Sequence, residues 1–143
     1  MKVIYVVTTG GTIEKAYSEP TGEVANLGTK IDCYLRLLRL PGTEIRVVPL
    51  VNKDSLEMTD SNRRLVLGAV AGLLPEDAPI VVTHGTDTMV ETGRFLDSVT
   101  TELRVPIILT GGWFHWDLTE ATRCKTSPRV CLPLVRSVRE STW

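Results

Sequence analysis

The chain has 143 residues, of which 43% are hydrophobic and 23% are charged, with a formal net charge of -1. This balance excludes disordered and collagen-like chains and argues against nucleic acid as a partner, and the length suffices for one globular domain without structural staples. The three cysteines form no CxxC pair and imply no disulfide framework.

The N-terminal sequence MKVIYVV is apolar and β-branched as far as Val7, and a glycine pair follows at residues 10 and 11. This pattern predicts a buried strand over residues 2–7. The apolar run is too short to span a membrane, and it lacks the h-region and cleavage site of a signal peptide. We therefore expect a cytoplasmic protein without membrane association.

Residues 10–28 are rich in glycine and contain few large apolar side chains, which predicts a long mobile loop of the kind that usually carries function. A helix is predicted next over residues 31–40, ending before Pro41. Residues 44–51 return to strand character. The apolar side of the predicted helix would be formed by Ile31, Tyr34, Leu35 and Leu38.

The second part of the chain repeats the alternation of helix and strand. A helix capped by Thr59 or Asp60 is predicted to run to Pro75. Strands are predicted over residues 79–83 and 106–109, and a capping box formed by Thr88 and Glu91 would start a helix that ends near Val99. The packed face of the first helix would consist of Leu65, Val66, Ala69, Val70 and Leu73. Together these elements predict an open, mostly parallel α/β sheet with helices on both faces.

Ligands of such sheets bind at the carboxyl ends of the strands, so the residues that follow each strand are the candidate site. After the first strand comes Thr8-Thr9-Gly10-Gly11-Thr12-Ile13, where glycine permits close backbone approach and Thr12 offers a hydroxyl on a loop. The alternative is a phosphate-binding loop, but the pattern has neither GxGxxG nor a Gly-Lys-Ser/Thr ending. We favour the hydroxyl as a nucleophile.

A second corner, His84-Gly85-Thr86-Asp87-Thr88, places two hydroxyls and a carboxylate at a predicted helix N-terminus. Backbone N–H groups there favour a substrate carboxylate, whereas Asp87 could pair with an ammonium group, so an amino acid would fit. For this motif taken alone, simple helix capping by Thr86, Asp87 and Thr88 is the better-supported interpretation. His84 has only His115 as another histidine in the chain, and we interpret it as structural. We predict neither a metal nor another cofactor.

The third corner, residues 52–60, contains Ser55, which can donate a hydrogen bond, between acidic residues that could instead cap the next helix. No GxSxG elbow and no Cys-His arrangement accompanies it, which disfavours ordinary serine and cysteine hydrolases.

With the three corners taken together, residues 1 to about 111 resemble the bacterial-type L-asparaginases, particularly their short single-domain members. Thr9-Gly10-Gly11-Thr12-Ile13 and Thr83-His84-Gly85-Thr86-Asp87-Thr88 look like the two family signatures. The resemblance implies an amidohydrolase that converts L-asparagine, and possibly L-glutamine, to the acid and ammonia. It also implies homo-oligomerisation.

By the same resemblance, Thr12 is the nucleophile and Tyr17 helps to activate it. Ser55 holds the substrate α-carboxylate and Asp87 the α-amino group, while Thr86 belongs to a second triad with Asp87 and a downstream lysine. Backbone N–H groups near Gly11 and Thr86 are expected to stabilise the oxyanion.

The pattern stops after Gly112, and we divide the chain into an incomplete asparaginase-like domain over residues 1–112 and an aberrant tail over residues 113–143. Reading the back-translated tail one base earlier, with permitted codon choices, gives MVPLGSYRSDALQNLTES, which looks like the family. We therefore expect a one-base deletion near Gly112. Lys125 is not in the context of the family lysine, so we expect a truncated and inactive chain with an unpaired sheet edge.

Two alternatives remain open. The chain could be the asparaginase-like, ammonia-releasing subunit of a tRNA-dependent amidotransferase, although no added domain precedes the first strand. It could also be a non-catalytic domain that binds aspartate or asparagine through Ser55 and Asp87. Turnover, or dependence on a partner subunit, would separate these possibilities.

Overall fold

The computed structural model describes the backbone and side chains of residues 1–11, 31, 35, 38–100 and 103–111. It describes the backbone alone at residues 16–18, 23–25 and 136–137.

The strands of the described chain are β1 (Lys2–Gly10), β2 (Ala16–Ser18), β3 (Glu23–Ala25), β4 (Thr43–Lys53), β5 (Ile80–Thr83), β6 (Ile107–Thr110) and β7 (Arg136–Ser137). Four parallel strands form the centre of the fold, and the antiparallel β7 lies beside them in the order β4-β1-β5-β6-β7. The prediction of an open, mostly parallel α/β sheet is confirmed. Because β1 and β5 lie next to each other within the sheet, the loops that follow them meet at one edge.

The predicted loop over residues 10–28 contains regular backbone that the sequence did not indicate. Strands β2 and β3 pair antiparallel as a separate two-stranded sheet. Three residues are too few to display a readable alternation of apolar and polar side chains, so the prediction missed them.

Helix α1 (Asp60–Leu73) begins at Thr59, which caps it through a capping box with Asn62 and so decides between the two predicted caps. It ends at a short 3-10 turn that contains Pro75, as expected. Val66 and Val70 are fully buried in the core, but Leu65 is 52% exposed. The prediction for Leu65 was wrong because this residue lies on the helical row of exposed residues 61, 68 and 72, roughly 100° away from Val66.

Helix α2 (Met89–Val99) starts where the sequence predicts, but the predicted capping box is absent. The N-cap residue Thr88 makes no side-chain capping hydrogen bond. Its hydroxyl donates to the Ser55 carbonyl instead. The helix buries Met89, Thr92 and Leu96 against the sheet.

Of the helix predicted over residues 31–40, the structure describes Ile31 and Leu35 as helical, while residues 38–40 are not helical. Leu38 is 54% exposed and is not part of a packed face. The prediction extended the helix too far, because Pro41 disfavours helical backbone at the residue before it. Tyr34 lies outside the described residues.

The core between the sheet and the two described helices contains alternate residues of the central strands. Its fully buried members include Val7, Val66, Val70, Ile80, Val82 and Leu96. Side chains alternate across a sheet, so Val6, Val81 and Ile108 lie on the opposite face, where Val81 and Ile108 are only partly buried.

The sequence predicted an unpaired sheet edge without naming the strand, and the edge beside β6 is not unpaired, because β7 pairs with Ile108 and Leu109. In the described part of the chain, none of the helices combines the length and apolar character that a membrane span requires.

Candidate active site

The loop after β1 reaches the loop after β5 through glycine. Gly10 and Gly11 have φ angles of 100° and 86°, which L side chains rarely adopt. A Cβ on Gly11 would lie 2.6 Å from the Gly85 nitrogen, so only glycine permits this approach. The Gly11 N–H donates to the Lys53 carbonyl at 2.9 Å. This N–H is therefore already engaged, while the N–H of Thr12, the next one near Gly11, lies outside the described residues.

Ser55 is the point where the loop after β4 meets the loop after β5. It is only 2% exposed, and it begins a short 3-10 helix, Ser55–Glu57, that is capped by Asp54. A Cβ on Gly85 would lie 2.4 Å from the Ser55 Cβ. The absence of a side chain at position 85 thus brings Ser55 directly against the backbone of the second corner.

The Ser55 hydroxyl donates a hydrogen bond of 3.1 Å to a carboxylate oxygen of Asp87. Asp87 is exposed, so its carboxylate lies at the solvent side of this pair. A serine hydroxyl has one proton, so Ser55 binds a ligand carboxylate when that proton turns from Asp87 to the ligand. The Asp87 carboxylate is then free to bind an ammonium group, and together the pair can bind the two charged groups of an α-amino acid.

Thr88 connects the same two corners through the backbone. Its hydroxyl donates to the Ser55 carbonyl at 2.7 Å instead of capping helix α2. The capping interpretation of Thr88 is therefore wrong. Two adjacent residues, Asp87 and Thr88, contact the side chain and the main chain of Ser55, which fixes the geometry of the serine.

His84 is fully buried, and both of its ring nitrogens have partners. Nδ1 lies 2.7 Å from the Gly85 carbonyl, and Nε2 lies 2.8 Å from the Thr92 hydroxyl. Arg63 in turn donates from Nε to the Thr92 oxygen at 3.3 Å. Burial is the largest influence on the imidazole, and it lowers the pKa of His84 from the ordinary value. These contacts agree with the structural role that the sequence indicated.

The ends of the central strands carry a cluster of buried threonines. Thr9 donates to the Thr83 carbonyl at 2.6 Å and ties β1 to β5 beside the site. Thr8 and Thr83 occupy neighbouring positions in register, and their buried hydroxyls have no hydrogen-bond partner within the described residues. The sheet thus becomes polar as it approaches the candidate site.

Of the predicted site residues, the structure brings Ser55 and Asp87 into contact. Thr86 precedes Asp87 in the chain and is half-buried, and Gly11 packs against the backbone of Gly85. Thr12 and the side chain of Tyr17 lie outside the described residues. In the part of the chain that the structure describes, no group of three His, Cys, Asp or Glu side chains could hold a metal ion.

Sequence reasoning missed the contacts of Thr88 and Gly85 with Ser55. The available indication was Gly85 itself, because a glycine directly after a strand often marks a site where another backbone segment approaches closely.

The family model described as "Asparaginase, N-terminal" matches residues 3–122. The chain belongs to this asparaginase family. The match includes all three corners of the site and runs past residue 112. It confirms the resemblance on which the assignment of the signatures depends.

Individual relatives of this asparaginase-family chain agree with the family match. The chain is 32% identical over 111 residues to an L-asparaginase of Thermococcus kodakarensis, covering 78% of this chain and 34% of that protein. It is 31% identical over 108 residues to one of the subunits of the glutamyl-tRNA(Gln) amidotransferase of Thermoplasma acidophilum, covering 76% and 26%. The chain thus spans about a third or less of the length of these relatives.

A solved structure shows the same fold. L-asparaginase I of Vibrio cholerae superposes with a TM-score of 0.67 at 27% identity, covering 79% of this chain and 34% of that one.

Proposed function

We propose that this chain is the substrate-binding front part of an asparaginase-type amidohydrolase, which hydrolyses the side-chain amide of L-asparagine to L-aspartate and ammonia. The observation that carries the proposal is the hydrogen bond between Ser55 and Asp87 at the carboxyl end of the sheet. In this proposal Ser55 binds the substrate α-carboxylate and Asp87 binds the α-amino group. L-Glutamine is a second possible substrate.

The proposed nucleophile is Thr12, which follows Gly11 directly in the chain. A threonine hydroxyl is a weak nucleophile and needs a group that accepts its proton or lowers its pKa. Tyr17 is the proposed activating group, and Thr86 with Asp87 would contribute to a second triad. Hydroxyl attack on the amide carbon produces a tetrahedral oxyanion, which collapses with loss of ammonia, and water then releases L-aspartate from the acyl-enzyme.

The oxyanion needs preorganised donors, each often worth about 3–4 kcal/mol of transition-state stabilisation. Because the Gly11 N–H is bonded to Lys53, the Thr86 N–H is the donor that we assign within the described residues.

Binding and turnover test this proposal separately. L-Aspartate binding is measured by calorimetry, and ammonia release from L-asparagine by a coupled assay. We expect the chain to bind L-aspartate, and we expect Asp87→Asn to weaken the binding. Absence of L-aspartate binding in the folded chain would contradict the proposed site.

Two other functions remain testable. The similarity to the amidotransferase of Thermoplasma acidophilum favours, as the second candidate, a subunit that releases ammonia for a partner enzyme. Ammonia release only in the presence of a partner subunit would support it. Saturable binding of aspartate or asparagine with no turnover would instead support a non-catalytic amino-acid-binding domain.

The division at residue 112 is also a proposal. According to this proposal, residues 113–143 are the product of a one-base shift in the reading frame. The restored frame encodes MVPLGSYRSDALQNLTES at the start of this segment. The support is that the codons of Phe114, Trp116 and Asp117 dictate Val, Leu and Gly at three positions of that string. In this proposal residues 113–143 supply no lysine to the second triad, and we expect no turnover by residues 1–143 alone.

The proposed protein acts in the cytoplasm on a small-molecule substrate, without nucleic acid or membrane as a partner. The balanced charge of the chain supports the expectation that nucleic acid is not a partner, since the chain offers no excess of basic residues. Homo-oligomerisation is proposed for the intact protein from the family resemblance.

A further inference from the structure

We propose that His84, Thr92 and Arg63 form a positioning relay that fixes the direction of the Gly85–Thr86 peptide, so that the Thr86 N–H is held toward the site. The inference rests on the proposed function, because this N–H is the oxyanion donor assigned there. His84 and Thr92 are both fully buried, and neither is part of the proposed substrate-binding pair.

The contact between His84 and Gly85 determines where the imidazole proton lies. A carbonyl oxygen can only accept a hydrogen bond, and Nδ1 lies 2.7 Å from the Gly85 oxygen. Nδ1 must therefore carry the proton. Nε2 of the neutral ring is then an acceptor, and the Thr92 hydroxyl donates to it at 2.8 Å.

Arg63 fixes the remaining direction of the relay. A guanidinium group can only donate, so Arg63 Nε gives its hydrogen bond to the Thr92 oxygen at 3.3 Å. The Thr92 proton is thereby left for His84. Asp60 holds the other side of the guanidinium through a contact of 3.1 Å. Donation consequently runs in one direction, from Arg63 through Thr92 and His84 to Gly85.

The last step follows from peptide geometry. The described chain contains no cis peptide bond, and in a trans peptide the C=O and N–H groups point in opposite directions. With the Gly85 carbonyl held at the buried ring, the Thr86 N–H points away from that ring. A ring nitrogen that changed its proton would release the carbonyl and allow this peptide to rotate.

The experiment uses the ¹⁵N-labelled chain, three test and control variants, and a fourth variant for signal assignment. Thr92→Val removes the hydroxyl but keeps the shape, Thr92→Ser keeps the hydroxyl, and Ser98→Ala is the control. Ser98 lies on the same helix and donates only to the Phe95 carbonyl near the exposed end. Nitrogen spectra identify the protonated ring atom, and His115→Gln assigns the signals of the two histidines.

For the unaltered chain we expect a proton on Nδ1 and none on Nε2 of His84. Thr92→Val should mix the two tautomers, shift the Thr86 amide resonance and weaken L-aspartate binding about fivefold, the effect of one ordinary hydrogen bond. Thr92→Ser and Ser98→Ala should change none of these. A proton on Nε2, or an unchanged Thr86 resonance in Thr92→Val, would overturn the relay.

These readouts keep the two proposals distinct. If the unaltered chain fails to bind L-aspartate, the proposed function fails, while the tautomer and the Thr86 resonance still decide the relay. If the chain binds L-aspartate equally well with and without the Thr92 hydroxyl, the relay fails and the proposed function stands. A loss of thermal stability in Thr92→Val without a tautomer change would indicate packing alone and would also overturn the relay.

Discussion

Ser55 donates a hydrogen bond of 3.1 Å to Asp87, although the two residues lie 32 positions apart in the chain. The contact exists because β4 and β5 flank β1 in a parallel sheet, which brings the loops after all three strands to one edge. Thr88 adds a second bond to the main chain of Ser55. The pair is therefore positioned by the fold and not by local sequence.

Removing the Ser55 hydroxyl should weaken ligand binding. A hydrogen bond to a charged group is worth about 1.5–3 kcal/mol, so Ser55→Ala should reduce L-aspartate affinity about 10- to 150-fold. Calorimetric titration measures this. Ser98→Ala is the matched control, since it deletes an exposed hydroxyl outside the site, and its affinity should equal that of the unaltered chain. Equal affinities for both variants would contradict the assignment of Ser55.

Gly85→Ala should destabilise the fold because its Cβ would meet Ser55 at 2.4 Å. Overpacking of this kind costs about 1–3 kcal/mol in the free energy of unfolding. Gly68→Ala is the control, because the Cβ there meets nothing within 4 Å on an exposed helix position. It should stabilise the protein by about 0.5–1 kcal/mol. Urea denaturation of both variants measures these changes. An unchanged free energy of unfolding in Gly85→Ala would show that the loops after β4 and β5 are further apart than the structure has them.

Thr59 and Thr88 both precede helices, yet their substitution by valine should have different effects. Thr59 caps α1, so Thr59→Val should lower the free energy of unfolding by about 1 kcal/mol and leave L-aspartate affinity unchanged. Thr88→Val should lower the affinity about fivefold, because it releases the Ser55 carbonyl. Denaturation and calorimetry on both variants test this, and a Thr88→Val variant with unaltered affinity would refute the proposed positioning.

Acid should destabilise the fold through His84. Burial lowers the pKa of the folded imidazole below 6.5, while Arg63 lowers it further and the Gly85 carbonyl and Glu91 oppose the shift. Between the folded and unfolded pKa values of His84, the unfolded chain binds more protons than the folded chain. The contribution of His84 to the free energy of unfolding is therefore fully present above about pH 6.5, and it decreases as the pH falls below that value. The slope cannot exceed about 1.4 kcal/mol per pH unit for one group. Urea denaturation from about pH 5 to 8 measures this decrease in the free energy of unfolding. The part of the decrease that is due to the imidazole should be absent in His84→Gln.

The sequence predicted the alternation of strands and helices because long apolar runs and the helical spacing of apolar residues can be recognised without knowledge of long-range contacts. The prediction failed where the position of a side chain depends on contacts between segments that are distant in the sequence. Leu65 was assigned to the core, since apolar periodicity does not say which of two adjacent residues faces the sheet. Thr88 was assigned to a cap, because nothing local shows that its hydroxyl reaches Ser55.

The candidate site was predictable in part. The second signature contains Asp87, the third corner contains Ser55, and parallel-sheet topology implied that their loops meet. The close contact that Gly85 permits, and the bond that engages the Gly11 N–H, depend on backbone positions accurate to a fraction of an ångström. No pattern of residue types encodes distances at that level.

The proposed shift of reading frame is tested on the gene itself. DNA sequencing across the codons for Leu109 to Glu120 should reveal an additional base that restores the MVPLGS reading. An unchanged DNA sequence whose shifted frame met a stop codon between residues 113 and 143 would refute this proposal. It would leave the assignment of the three corners unaffected.

The most direct test of the central claim is ammonia release from L-asparagine by the frame-restored protein, with and without Thr12→Ala. We predict turnover by the restored protein and its loss in Thr12→Ala, with L-aspartate binding through Ser55 and Asp87 retained in both. Unchanged ammonia release in Thr12→Ala, or no release by the restored protein, would contradict the proposal that this site is an asparaginase-type site with a threonine nucleophile.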